Sequence, residues 1–200
     1  MTTPRDLLIV TMDAEPSPPV EEGDLSLALA GAEVVDLLAT GAVTLDGDRL
    51  VPGPGAPTGD RLLDLAASLL VAEAPYESVE DWLWRRGRDL SSAYRDDLRE
   101  AGQTTMERPR RRPWATGRPV LADSPAREEA VGRWRSGEPV LVALASAAGV
   151  PAGPEARTAG VDDDAVATVL AAVNDAVEEL QTVRQRRSIE KAAFDNIWRA

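Results

Sequence analysis

The sequence predicts a mainly α-helical protein with one or two small β-hairpins. Three observations point there. Apolar residues recur at the helical period in segment after segment. Serine, threonine or aspartate stands just before several of those segments, and glycine just behind others, as helix ends require. Strict alternation is confined to short runs, the clearest of them around Asp46-Gly47.

Taken in chain order, RDLLIVTM (5–12) is a short apolar segment, compatible with a helix or a strand. Prolines and a glycine make SPPVEEGD a loop. From Leu25 to Thr40, Leu27, Ala30, Val34, Leu37 and Leu38 keep the helical spacing, with Gly41 placed as the residue after the C-cap. AVTLDGDRLVPG then alternates around Asp46-Gly47, a two-residue hairpin signal. The next helix follows APTGD; Thr58 is positioned to cap it, and Asp60 to sit in its first turn against the dipole. Ser78 caps a third helix, and Ser91 or Ser92 opens a fourth that ends at Gly102. Residues 104–119, TTMERPRRRPWATGRP, are too rich in proline for a helix. Pro125–Arg135 is a helix behind an Asp123-Ser124 cap, and 139–148 a buried one. Asp162, Asp163 and Asp164 precede a long final helix. The 151–160 loop is the best boundary, but only 40 residues follow it, so one domain over 1–200 is expected.

Composition narrows function. There is no cysteine and no histidine, so thiol nucleophiles, thiolate metal sites and the commonest general base are absent. A formal net charge of -12 argues against nucleic-acid binding, which draws on a basic face. The N-terminal apolar run, Leu7 to Val10, is too short for a signal peptide, and no stretch approaches a membrane span. A cytoplasmic protein is expected. Of 22 basic residues only Lys191 is lysine, and the wealth of Ala, Arg, Gly and Val suggests a GC-rich bacterial genome.

Several clusters have a functional reading beside a plain one. Asp162–Asp164 offers oxygen ligands for a hard cation, but acids at a helix N-terminus complement its dipole and no EF-hand spacing follows. Asp60 and Asp64, four apart on a helix, resemble a carboxylate pair for acid-base work, although Asp60 has a role at the helix end. Trp82 and Trp84 lie on different helix faces, one for the core and one for the surface. Arg85, Arg86 and Arg88, like Arg184, Arg186 and Arg187, read as solvated basic faces. Arg108, Arg110, Arg111, Arg112 and Arg118 surround Trp114 in the 104–119 stretch. Arginine forks bind phosphate and tryptophan suits a membrane interface, so anionic lipid or nucleic acid fits. A hairpin pairing with acids on the same or another subunit, or a solvated loop, fits as well.

The order of these elements is itself informative. A small-residue helix ends in ATGAVTLDGDRL; then come APTGDRLLDLA, a tryptophan-bearing helix, LREAGQTT, the arginine stretch, RPVLADSPAREEAV and LVALASAAG. Over residues 4–198 this resembles the Golgi phosphoprotein 3 family, in its bacterial, actinobacterial-type branch. The resemblance implies helices packed round a central bundle with a projecting β-hairpin, here 104–119, and no enzymatic activity or cofactor. Eukaryotic members are peripheral membrane adaptors that bind phosphatidylinositol 4-phosphate through a basic pocket, and the hairpin contributes to self-association. The family's four headgroup positions fall here at Glu21, Ala30, Glu129 and Gly132, none of them basic. Arg127, Arg133 and Arg135 lie close by and become the anion-binding candidates, although a one-residue shift turns a helical side chain by about 100°. The expectation is therefore a cytoplasmic protein, peripheral at the inner face of the membrane. Its partners would be anionic lipid, an unknown protein, or itself through the hairpin contacts Arg108, Arg110, Arg111, Arg112, Trp114 and Arg118.

Overall fold

A computed structural model describes residues 2–14, 18–107, 118–151 and 161–197, with backbone alone at 118 and 192–197. In chain order the elements are α1 (Thr3–Ala14), α2 (Glu22–Ala39), β1 (Val43–Asp46), β2 (Arg49–Pro52), α3 (Arg61–Ser68), α4 (Val79–Arg86) and α5 (Leu90–Glu100). They continue with β3 (Thr104–Glu107), β4 (Arg118–Leu121), α6 (Pro125–Arg135), α7 (Pro139–Ala147) and α8 (Asp164–Ile197). The fold is mainly α, and its strands form two antiparallel two-stranded hairpins, β1–β2 and β3–β4.

Helix α2 is the centre of the bundle. It packs against α1, α3, α4, α5, α7 and α8, and every residue from Asp24 to Val35 is buried. A helix that is apolar nearly all round must be enclosed on every side. Small residues let its neighbours approach closely: a Cβ on Gly31 would stand 2.3 Å from Val173 Cγ2 of α8. Around this axle the core gathers Leu7, Leu8 and Ile9 of α1, Trp82 of α4 and Tyr94 of α5.

Local signals decide most of the boundaries. The ambiguous segment 5–12 is helix α1. Thr40 is the C-cap of α2, so Gly41 follows it as expected. Asp46 pairs with Arg49, so the first hairpin turns on Gly47 and Asp48, one residue later than the Asp46-Gly47 signal. Gly47 has φ +61° and Asp48 is not left-handed. A positive φ at the first central residue alone fits a type II′ turn. Ser78 and Ser124 cap α4 and α6 through their hydroxyls, as predicted.

Two caps differ from the sequence reading. Asp60, not Thr58, caps α3, accepting from the amides of Leu62 and Leu63. Thr58 stands too far ahead of α3 to reach those amides and is held by Asp64 instead, through its amide (2.6 Å) and hydroxyl (2.8 Å). Helix α5 begins at Leu90 behind Asp89, whose φ of 55° makes a tight corner. Ser91 therefore lies inside the helix, and Ser26 Oγ takes up its amide.

Trp82 is fully buried and Trp84 partly so, as their offset of two requires. The arginines that follow are not all solvated. Arg85 pairs with Glu77 at 2.6 Å and lies 5.0 Å from the Trp82 ring centre. Arg86 turns inward, donating to Glu33 Oε2 at 2.8 Å and Oε1 at 2.7 Å. Arg184 likewise leaves the solvated set and pairs with Asp24 at 2.6 Å. Each turns inward because a carboxylate on α2 is otherwise buried without a counter-charge. Among the described residues no helix is long and apolar enough to cross a membrane.

Candidate functional site: a cleft at the foot of the second hairpin

The three arginines singled out on α6 do not converge. Arg127 donates from Nε and Nη2 to Asp13 Oδ1 of α1, at 2.9 and 2.6 Å, and from Nη1 to Asp123 at 2.7 Å. Arg133 pairs with Asp6 and, at 3.2 Å, with Glu138. Asp6 and Asp13 lie seven residues apart on α1, about 10 Å along the axis. Asp6 is fully buried, and burial pushes its carboxyl above the usual range while Arg133 pulls it back. Arg135 is exposed and has no ion pair among the described residues. Two of the three cations are therefore committed to joining α6 to α1.

Arg127 also lines a cleft of about 600 Å³. One wall is the end of α1 (Thr11, Met12, Asp13), another Pro19 and Val20, and a third β4 (Pro119, Val120, Leu121). Arg95 of α5 completes it. Arg95 is itself paired with Glu22 at 2.8 Å, on the surface. The cleft thus combines apolar walls with two guanidinium groups whose carboxylate partners are partly or wholly solvated. Such an arrangement suits a ligand or peptide with an apolar body and an anionic end.

The second hairpin rises beside this cleft. Its register runs from Thr104 opposite Leu121 to Glu107 opposite Arg118. The base is fixed by Ala122 N–H donating to Gln103 O at 2.8 Å and Ser124 Oγ donating to Gln103 Oε1 at 2.7 Å. Arg118 stands on β4. Arg108, Arg110, Arg111, Arg112 and Trp114 belong to the ten-residue connection 108–117, outside the described residues.

The acidic candidates have local duties. The Asp60 carboxylate caps α3, accepts from the Thr2 hydroxyl at 3.1 Å and pairs with Arg5 at 2.8 Å. Asp64 is held by Thr58, whose hydrogen bonds keep its carboxyl below the usual range. Asp163 accepts from the amides of Ala165 and Val166 at the start of α8. No group of three or more acids among the described residues is arranged to hold a metal ion.

Sequence reasoning missed Arg95 and Asp13. Nothing local marks them, because the cleft is assembled from five separate stretches of chain. The headgroup positions implied by the resemblance also have places. Glu21 is exposed at the start of α2, directly after the cleft residue Val20; Ala30 is enclosed in the core; Glu129 and Gly132 are exposed on α6. None supplies a cation.

No curated protein matches the chain significantly. The family profile described as Golgi phosphoprotein 3 (GPP34) matches residues 4–184, from α1 to the turn of α8 that carries Arg184. The helices around α2, the two hairpins and that match agree: the chain belongs to the Golgi phosphoprotein 3 family.

Proposed function

We propose that this protein is a non-enzymatic, adaptor-like member of its family that attaches peripherally to an anionic membrane surface. The 104–119 hairpin is its contact element. The observation that carries the reading is the β3–β4 pairing. Arg108, Arg110, Arg111, Arg112 and Trp114 all fall in the sequence between those two strands, in a chain whose net charge is strongly negative, which supports the reading. Guanidinium groups meet phosphate in bidentate fashion, and an indole settles at the headgroup level. The cleft below, with Arg127 and Arg95, would receive part of a lipid, and Arg133 and Arg135 extend the basic side of α6.

A second reading draws on the α6 ion pairs. Arg127 and Arg133 already hold carboxylates, and Glu21 and Glu129 would repel a phosphate. That favours a hairpin that contacts protein, another subunit included, without lipid.

Co-sedimentation with vesicles of phosphatidylcholine containing an anionic phospholipid separates the two. The membrane reading expects binding at low salt that falls steeply with added salt. It also expects loss of binding in the Arg110→Glu plus Arg112→Glu variant. Absence of binding, or binding indifferent to that variant, overturns it. If deletion of 106–117 also lowers the solution mass, the protein-contact reading takes its place.

A further inference from the structure

The other end of α1 borders a second cavity, of about 530 Å³. It lies between the start of α1, the end of α2 and the loop that enters α3, and shares no residue with the cleft at the foot of the second hairpin. That volume suits a small molecule.

The charges on its wall do not balance. Arg5 is the one base there, and it faces two carboxylates, Asp36 and Asp60. Its guanidinium is already shared, standing 2.8 Å from Asp60 and 2.7 Å from Asp97 behind it. Asp97 draws on Arg61 as well, at 3.0 Å. Asp36 has no ion pair among the described residues; its Oδ2 accepts from the Thr3 amide at 2.7 Å. Burial pushes the Asp36 carboxyl up; the Thr3 bonds and, from α6, Arg133 oppose this, while the Asp60 charge adds to it. A half-enclosed carboxylate without a counter-charge of its own favours a cation beside it.

The hydroxyl groups on the wall have spent their protons inside the protein. Thr2 donates to Asp60 Oδ2 at 3.1 Å, Thr40 to the Leu37 carbonyl at 3.1 Å and Thr58 to Asp64 at 2.8 Å. A hydroxyl has one proton and two lone pairs, so what these oxygens have left to offer a ligand is acceptor capacity. A neutral acceptor or an anion finds no donor in these side chains beyond the engaged Arg5. A cation rich in N–H donors finds acceptors and an uncompensated charge. No group of three or more acids among the described residues is arranged to hold a metal ion, so the walls suit an organic cation better than an inorganic one. Ala39 and Leu63 add an apolar part to the lining.

We propose that this cavity binds a small primary amine as its ammonium ion. The charge lies beside Asp36, its N–H donors are shared between that carboxylate and the threonine oxygens, and the alkyl part rests against Leu63 and Ala39.

Titration of the full chain with n-butylamine at neutral pH, followed by amide chemical shifts, tests the proposal. Saturable shifts should appear at Thr40 and Gly59 and be absent from Val20 and Leu121 at the cleft. Two probes separate the features the cavity reads: 1-butanol lacks the charge, and tetramethylammonium lacks the N–H donors. Each should bind roughly tenfold more weakly or worse. Asp36→Asn keeps an acceptor for Thr3 and removes the charge, so affinity for the amine should also fall by about tenfold or more. Ala39 is exposed, so Ala39→Arg sets a competing cation at the rim without disturbing the core. It should abolish binding and leave the melting curve unchanged. Absence of saturable shifts overturns the proposal. So does equal binding of 1-butanol or of tetramethylammonium, or affinity indifferent to the two substitutions.

Discussion

Arg86 and Arg127 make the same kind of bond in opposite surroundings. Arg86 joins α4 to Glu33 on the central helix with a two-pronged pair of 2.8 and 2.7 Å; its side chain is 11 % exposed and Glu33 is fully enclosed. Tyr94 adds a third bond, donating its hydroxyl to Glu33 Oε1 at 2.9 Å. Arg127 joins α6 to Asp13 at 2.6 Å, but its side chain is 35 % exposed and that of Asp13 24 %. Burial pushes the Glu33 carboxyl up, while Arg86 and Tyr94 hold it down. The Tyr94 hydroxyl, buried beside that carboxylate, is driven far above its usual range. The lesson is that arginines counted as positive charge in a sequence are not equally available. The pair at Arg86 is architecture, closed to any ligand. At Arg127 the partners are the half-buried Asp13 and the fully exposed Asp123, which a phosphate displaces at less cost than it would the enclosed Glu33, and only this second kind of arginine can serve a binding face.

The strongest way to break the comparison is to remove each arginine in turn. Arg86→Met leaves Glu33 enclosed without a counter-charge, and stranding one member of a buried pair costs about 3–5 kcal/mol. In a protein of this size that lowers the melting temperature by roughly 6–20 °C. Adding Glu33→Gln should recover much of the loss, because a neutral amide keeps a partner for Tyr94 without a stranded charge. Thermal unfolding of the single and double variants decides it. A loss under about 1 kcal/mol for Arg86→Met would place this pair among ordinary surface bridges.

What was readable in advance follows the same division between local and distant. The caps at Ser78 and Ser124 and the glycine after α2 were legible because a cap is settled within four residues. The first hairpin was legible for the same reason, apart from a one-residue offset in its turn. Asp89 was not, since a left-handed corner at a non-glycine residue has no strong sequence mark. Arg86 looks like a solvated cation in the sequence because its partner lies 53 residues away. The cleft was invisible because Arg95, Arg127, Val20 and Leu121 share no segment. The stem of the second hairpin came from the resemblance in element order, which encodes topology that no single window contains.

The matching experiment on the exposed side is Arg127→Met. A pair this accessible is worth about 0–1 kcal/mol, and Asp13 and Asp123 regain water when it is lost. Denaturant unfolding should therefore shift by less than a third of the Arg86→Met effect. A loss as large as that of Arg86→Met would mean that α6 depends on Arg127 for its place, and would remove Arg127 from the candidate ligand contacts.

The smallest effect falls on Asp36, which stands between the two cases: partly enclosed, yet without an arginine of its own. Its Oδ2 accepts from the Thr3 amide at 2.7 Å at the start of α1. Burial pushes its carboxyl above the ordinary 3.8, and the Asp60 charge adds to the rise, while the Thr3 bonds and Arg133 oppose it. The native state therefore binds this proton more tightly than the unfolded chain does. The stability linked to it is present in full below pH 3.8 and is lost as pH rises through the raised native value. Asp36→Asn keeps an acceptor for Thr3 and removes the titration. The variant should gain on the wild type as pH climbs through that window, then hold a constant margin to neutrality. Urea unfolding measured from pH 3 to 7 tests the sign. A margin that shrinks as pH rises would show the Asp36 charge to be favoured by its setting, as a paired carboxylate is, and the division between paired and merely buried acids would fail at this residue.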